Sequence, residues 1–395
     1  MSASDPVVIA SVARTPMGGM QGVLSPLSAS QLGAVAIKAA VERAGVKPGD
    51  VDEVIMGCCL PAGQGQAPAR QAARGAGLPD SAGAVTINKM CGSGLKAVMM
   101  AADQIRAGSN AVVVAGGMES MTNAPYLLPK ARGGYRYGHA TMFDHMAQDG
   151  LEDAYERGTA MGVFAERTVE KYGFTRKDQD DFAIASLARA KKANEDGSFA
   201  FEMAPLEIAG KAGVEKIAND EQPAKGKPEK IPALKPAFKK DGTITAANAS
   251  SISDGAAAIV LMAESEAKKR GVKPLAKIVS QATHSRLPAE FTIAPVTAIK
   301  TVLEKAGWKT SDVDLWEINE AFAVVTMAAM KEHNLPHDKV NIHGGACALG
   351  HPIGASGARI LATLVGALKK TGGKRGIATL CIGGGEAVAM AIEMV

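Results

Sequence analysis

The chain has 395 residues, and 44 lysines and arginines against 40 aspartates and glutamates leave a net charge of +4. That length predicts two or three domains, and an apolar fraction of 47% excludes a disordered chain. Near-neutral charge argues against nucleic acid, no apolar run approaches the roughly 18–20 residues of a membrane span, and five sparse cysteines argue for reduced thiols in a cytoplasm.

In chain order, Met1 to Pro6 lack the basic and apolar regions of a secretory signal. Residues 36–57 (AIKAAVERAGVKPGDVDEVIMG) read as a helix, a glycine turn and a strand. That strand ends in Cys58 and Cys59, which read as structural. A helix at about 93–107, opened by Cys91-Gly-Ser-Gly94, is apolar on almost every face and so belongs in the interior. An apolar strand, Ala111 to Gly117, follows and runs into Gly116-Gly-Met-Glu119. About 130 residues then separate it from the strand Ala256 to Met262. They contain a Gly/Tyr/Arg-rich stretch at 130–139, a helical segment at about 175–195 and a lysine- and proline-rich segment at 209–240. Such a long insertion reads as a separate lobe.

Residues 298–319 (AIKTVLEKAGWKTSDVDLWEIN) then repeat 36–57 with a shift of 262, ten of 22 positions being identical. Gly354-Ala-Ser-Gly357 parallels Cys91-Gly-Ser-Gly94 at a shift of 263 and opens a second all-apolar helix, about 356–370. The strand Ile377 to Gly383, a glycine turn and the strand Ala387 to Ile392 close the chain. The division is a first half (1–121 with 252–274), an inserted lobe (122–251) and a second half (275–395). Continuous apolar strands alternating with helices predict a parallel-rich α/β sheet covered on both faces.

Cys91 stands where free amides and a helix dipole favour a thiolate, which would lower its pKa and make it a nucleophile. By itself it is as readily a packed residue at a helix start. His351, in Gly350-His351-Pro352, occupies the repeat-related place before the other buried helix and could take the Cys91 proton or bind an oxyanion; otherwise it is a turn histidine. Cys381 ends a core strand before Gly383-Gly-Gly385, whose amides could hold an oxyanion; a buried strand cysteine is the plainer role. Asn319, also at a strand end, could fix a water or a carbonyl, or simply cap a helix. Cys347 takes no assigned role. There is no C-x-x-C for zinc, no phosphate-binding G-x-x-x-x-G-K-[ST], and no G-x-G-x-x-G with the strand and acidic residue a dinucleotide site needs.

Taken together, NKMCGSGLKAV, GGMESM, NASSISDGAAA, NEAFA, GHPIGASGAR and CIGGG resemble the thiolase family, in its order and over nearly the whole chain. The likeness is greatest to its biosynthetic branch, the acetyl-CoA acetyltransferases. It implies an α/β thiolase fold of two duplicated βαβαβαββ halves in a five-layered α-β-α-β-α arrangement. It also implies a ping-pong condensation of two acetyl-CoA into acetoacetyl-CoA and CoA, with thiolysis as the reverse, and no cofactor beyond these thioester substrates.

By the same resemblance Cys91 is acetylated, His351 activates it, and Cys381, titrating near neutral pH, removes a methyl proton from the second acetyl-CoA. His351 with a water on Asn319 forms one oxyanion hole, and the amides of Cys91 and Gly383 the other. Ser250 and Ala249 touch pantetheine; Met161, Ala321, Phe322 and Phe291 line the acyl pocket. The lobe binds CoA and joins subunits into a homotetramer; lysines from Lys211 to Lys240 offer positive charge for the nucleotide, although most of them read more simply as a solvated loop. Ala160 replaces a common histidine and Phe291 a common methionine, which leaves the CoA contacts and chain length open. A longer-chain ketoacyl-CoA thiolase, a ketoacyl-carrier-protein synthase and an inactive thiolase-like subunit remain as alternatives. Two histidines would mark the synthase, and Cys381 with Asn-Glu-Ala-Phe disfavours it.

Overall fold

The computed structural model describes residues 5–210 and 213–395, so the first four residues, Lys211 and Ala212 lie outside it. The first half runs β1 (Val7–Arg14), α1 (Ala29–Ala44), β2 (Glu53–Gly57), β3 (Gly83–Ile87), α2 (Ser93–Arg106) and β4 (Val112–Ser120). The lobe contributes α3 (Met161–Tyr172) and α4 (Arg176–Glu195) before β5 (Ser253–Ala263). The second half runs β6 (Ala276–Ser285), α5 (Ala294–Ala306), β7 (Leu315–Ile318), α6 (Ala323–His333), α7 (Ser356–Thr371), β8 (Arg375–Ile382) and β9 (Glu386–Met394). The repeat unit is punctuated as the sequence suggests. Ser28 and Gln31 form a capping box on α1, and Gly45 and Gly307 end α1 and α5 in the left-handed conformation.

The strands lie in the order β7-β8-β9-β6-β1-β5-β4-β2-β3. The order within the second half mirrors that within the first, and the halves meet where β1 touches β6 at Val8↔Lys277 and Ile9↔Ala276. The expectation of a parallel-rich sheet needs correcting. Only β2–β3, β2–β4 and β7–β8 are parallel, and the other neighbours in this order are antiparallel. The turn Gly383–Gly385 is too short for a crossover, so β8 and β9 must form a hairpin. In the first half the lobe opens the corresponding hairpin, yet β4 and β5 still pair antiparallel.

Strand parity builds five layers. Ile259 and Leu261 of β5, with Leu380, Met390 and Ile392 of the second half, pack on the central helices through Leu95, Val98, Ile360 and Leu364. The alternate residues Val260 and Met262 meet α1 (Leu32, Ile37) on one outside, and Ile377 and Ala389 meet α5 (Ile299, Val302) on the other. The result is α-β-α-β-α, with α7 buried from Ser356 to Leu368 and α2 buried over most of its length, its exposed residues Asp103 and Arg106 lying at the far end. Among the described residues no helix is long and apolar enough to cross a membrane.

The two central helices cross at repeat-equivalent glycines. A Cβ on Gly94 would sit 2.7 Å from the Ala358 nitrogen, and one on Gly357 would sit 2.3 Å from the Leu95 nitrogen. Backbone cannot yield as a side-chain tip can, so Gly357→Ala is expected to cost about 2–3 kcal/mol by overpacking. Gly49→Ala, with nothing within 4 Å of its Cβ, should stay within about 0.5 kcal/mol of the parent, and urea melts of the two variants read the difference.

The lobe is tied to this core by a buried charge cluster. Arg14 at the end of β1 donates to Asp220 at 2.7 and 2.9 Å and to Glu202, beneath the ring of Phe199. A fully buried arginine is tolerable only with such partners.

Candidate active site

Three elements converge on one cavity of about 470 Å³ between the core and the lobe. The start of α2 supplies Cys91, the loop before α7 supplies His351, and the β8–β9 turn supplies Gly383. Helices α2 and α7 are packed face to face, so their repeat-related N-termini open on the same space.

Met90, immediately before Cys91, has φ +46°, a left-handed conformation that ordinary side chains rarely adopt and that costs about 1–3 kcal/mol. Ser93 locks it, donating its hydroxyl to Met90 O at 2.7 Å and accepting the Lys89 amide at 2.8 Å. Cys91 is left partly exposed, and the Gly383 amide is near enough to favour charge on its sulfur.

His351 is held by its backbone and by its ring. Its N–H donates to Ser251 O and Ser253 Oγ at 3.1 and 3.2 Å. Nδ1 lies 2.6 Å from Ser356 Oγ, and that hydroxyl donates its one proton to Pro352 O at 2.9 Å. With the hydroxyl proton assigned to Pro352 O, Ser356 accepts from His351 Nδ1–H, and that assignment leaves Nε2 as an unprotonated acceptor. Nε2 is buried and has no protein partner. An imidazole with one nitrogen fixed and the other bare, on a cavity that the Cys91 thiol also lines, is built to take a proton.

The electrostatics run against the expected thiolate. Burial pushes Cys91 up to about 11, outweighing the Gly383 amide and its own, with Glu119 adding to the rise. Burial pushes His351 down to about 3, helped by the nearby Arg359 guanidinium. The resting pair is thus a neutral thiol and a neutral imidazole. Cys381, fully buried behind the cavity, is raised well above an ordinary thiol by burial and by its neighbour Cys91. The expectation that it titrates near neutral pH therefore fails, because in an apolar pocket the charged form is the costly one.

Ser250, Ala249, Met161, Ala321, Phe322 and Phe291 all line the same cavity as Cys91, His351 and Gly383. Ala249 bridges Phe322, and Ser250 N donates to Ala321 O at 3.0 Å, which stitches the lobe to the second half at the cavity wall. Phe291 and Phe322 pack with Cys381 in one apolar cluster. Asn319 lies behind the wall. Its Nδ2 is 3.5 Å from His351 Nδ1, and its buried Oδ1 has no protein partner and is free to hold a water. Ala160, in the place of the histidine, is also on the lining.

Sequence reasoning missed Phe238, Met121, Leu151 and Ile353 among the lining residues. Phe238 belongs to the lysine-rich segment, and its ring lies over Gly162 and edge-on to Phe322 at 5.9 Å. Nothing in its local sequence marks it. Ser356 and Glu119 were inside quoted motifs, and their hydrogen-bonding capacity was the available signal. Cys347 lines a neighbouring cavity of about 350 Å³ with Lys225, Lys227 and Lys230, and this shares Ala246 and Ser251 with the first.

Residues 7–265 match the family model described as thiolase, N-terminal domain, and residues 272–394 that described as thiolase, C-terminal domain. The chain is 49% identical over 394 residues to acetyl-CoA acetyltransferase IA of Candida tropicalis, covering 99% of this chain and 98% of that one. The crystal structure of the Bacillus anthracis acetyl-CoA acetyltransferase superposes with a TM-score of 0.96 at 43% identity, covering 100% of both chains. A thiolase from Ascaris suum in complex with coenzyme A gives 0.93 at 44% identity, covering 99% of this chain and 100% of that one.

Proposed function

The chain belongs to the thiolase family, and on that ground we propose that it condenses two acetyl-CoA into acetoacetyl-CoA and CoA and runs the reverse thiolysis. It is an acyltransferase by family. The observation that carries the reading is the meeting of Cys91, the bare Nε2 of His351 and the Gly383 amide in one largely apolar cavity.

The proton inventory closes without an ionised thiol at rest. His351 Nε2 takes the Cys91 proton as the sulfur attacks the acetyl carbonyl. The oxyanion forms beside the Cys91 and Gly383 amides, whose pull already favours negative charge at that sulfur. Cys381 gives its proton to the departing CoA thiolate and is left as the thiolate base. It then takes a methyl proton from the second acetyl-CoA. The enolate oxygen is held by His351, now a donor at Nε2, and by a water on Asn319. Attack of the enolate carbon on acetyl-Cys91 forms acetoacetyl-CoA, and the released Cys91 recovers its proton from His351. Each thiol that burial keeps protonated is activated by a neighbour within the cycle.

We assign pantetheine to the channel past Ser250, Ala249 and Phe238, and the nucleotide phosphates to Lys225, Lys227 and Lys230 at the adjoining cavity. The coenzyme A complex of the Ascaris suum thiolase supports CoA as the ligand. Exposed Tyr126, Leu128, Tyr137 and Met142 in the lobe support assembly, which we propose is a homotetramer. A reducing cytoplasm is the proposed setting, since both working thiols must stay free.

The test is direct. Purified protein mixed with acetoacetyl-CoA and CoA should consume the enolate absorbance. Activity confined to long-chain ketoacyl-CoA would sink the short-chain assignment.

A further inference from the structure

Glu119 ends β4 with its carboxylate wholly buried, and neither substrate nor the proton cycle uses it. Oε2 accepts the Cys59 N–H at 2.8 Å and the Gly354 N–H at 2.9 Å. Oε1 accepts the Leu60 N–H at 3.1 Å and the Cys58 thiol at 3.5 Å. Both oxygens thus receive two donors, so neither has room for a proton of its own. Burial pushes the carboxyl up and these donors pull it back toward the ionised form.

Each donor belongs to a segment around the site. Gly354 is three residues beyond His351, and the intervening Ile353 lines the cavity. Cys59 turns its own thiol toward the nucleophile loop, donating to Met90 O at 3.1 Å and lying 3.4 Å from Ser93 Oγ. A continuous chain therefore runs from the His351 loop through Glu119 and Cys59 to the strained residue before Cys91. We propose that Glu119 is a positioning residue that sets the spacing of Cys91 and His351. It grips the His351 loop directly and the Cys91 loop through Cys59. The inference rests on the roles given to Cys91 and His351.

Glutamine cannot replace this carboxylate, because turning either oxygen into NH₂ points a donor at two donors. Glu119→Gln should lower kcat for thiolysis of acetoacetyl-CoA about 100-fold, the scale of a misplacement of about 1 Å, while KM for CoA moves less than about twofold. Its charge is also among the groups facing Cys91, the others being Cys59, Cys381, His351 and, across the cavity lining, Glu152. Removing it should shift the pH profile of Cys91 alkylation by iodoacetamide below that of the parent, so the thiolate forms more readily while turnover is slower. Cys59→Ala, which cuts only the last link, should lower kcat about tenfold, as expected for one lost hydrogen bond, and Cys59→Ser should restore it. Parent activity in the same assay separates this idea from the functional assignment. An unchanged kcat in Glu119→Gln overturns the proposal, as does a lost kcat accompanied by an equal rise in KM and an unmoved alkylation profile. Should Glu119→Gln fail to fold, the Cys59 pair decides, and parent-like turnover in Cys59→Ala refutes it.

Discussion

Cys381→Ala is expected to accept one acetyl group from acetyl-CoA on Cys91 and then to stop, with condensation reduced about 10³-fold or more, within the usual range for a lost general base. The separation follows from position. Cys91 lines the cavity together with Gly383, whereas Cys381 lies behind it among Phe291 and Phe322. Acetylation depends on the first thiol and His351, with Cys381 only easing the departure of CoA, whereas proton removal from the second substrate depends on Cys381 itself. Because Cys381 also supplies the proton for departing CoA, acetylation of the variant should be slower but complete. Cys91→Ala should take up no acetyl group at all. Intact-protein mass spectrometry after incubation with acetyl-CoA reads both results. Acetylation persisting in Cys91→Ala would overturn the assignment of the nucleophile.

His351→Ala should lose about 10³-fold in kcat, since it removes the bare, buried Nε2 that shares the cavity with the Cys91 thiol. Glu119 is fully committed to its four donors, and Cys381 is itself a thiol whose pKa burial raises. Ser356→Ala leaves the imidazole in place but removes the acceptor that fixes the proton on Nδ1. The ring can then carry its proton on Nε2, the wrong side for a base, and kcat should fall about tenfold. Steady-state thiolysis rates for the two variants measure the difference. A Ser356→Ala enzyme as fast as the parent would mean that the tautomer is held by something else.

Much of this site was legible in the residues because the chain is duplicated. Cys91-Gly-Ser-Gly94 and Gly354-Ala-Ser-Gly357 are the same structural sentence written twice, and two buried helices that pack on each other must bring their starts together. Cys381 and Asn319 were legible as strand ends on the same grounds. Phe238 was not, because it reaches the cavity from a loop whose local pattern is that of a solvated lysine-rich surface. Nor was the role of Glu119, since a Gly-Gly-Met-Glu-Ser run does not disclose which distant amides its carboxylate will meet.

The sequence by itself determined the duplication, the alternation of apolar helices and strands, and which residue types stand at the helix starts and strand ends, because these depend on neighbours along the chain. The tertiary structure alone decided three things. It made the sheet predominantly antiparallel, through the tight Gly383–Gly385 turn and its opened counterpart. It placed the proton of His351 on Nδ1 through Ser356 and Pro352. And it reversed the expected acidity of Cys91. A helix start alone would stabilise a thiolate, but enclosure by the lobe and the second half removes water from around it, and that desolvation is the larger effect.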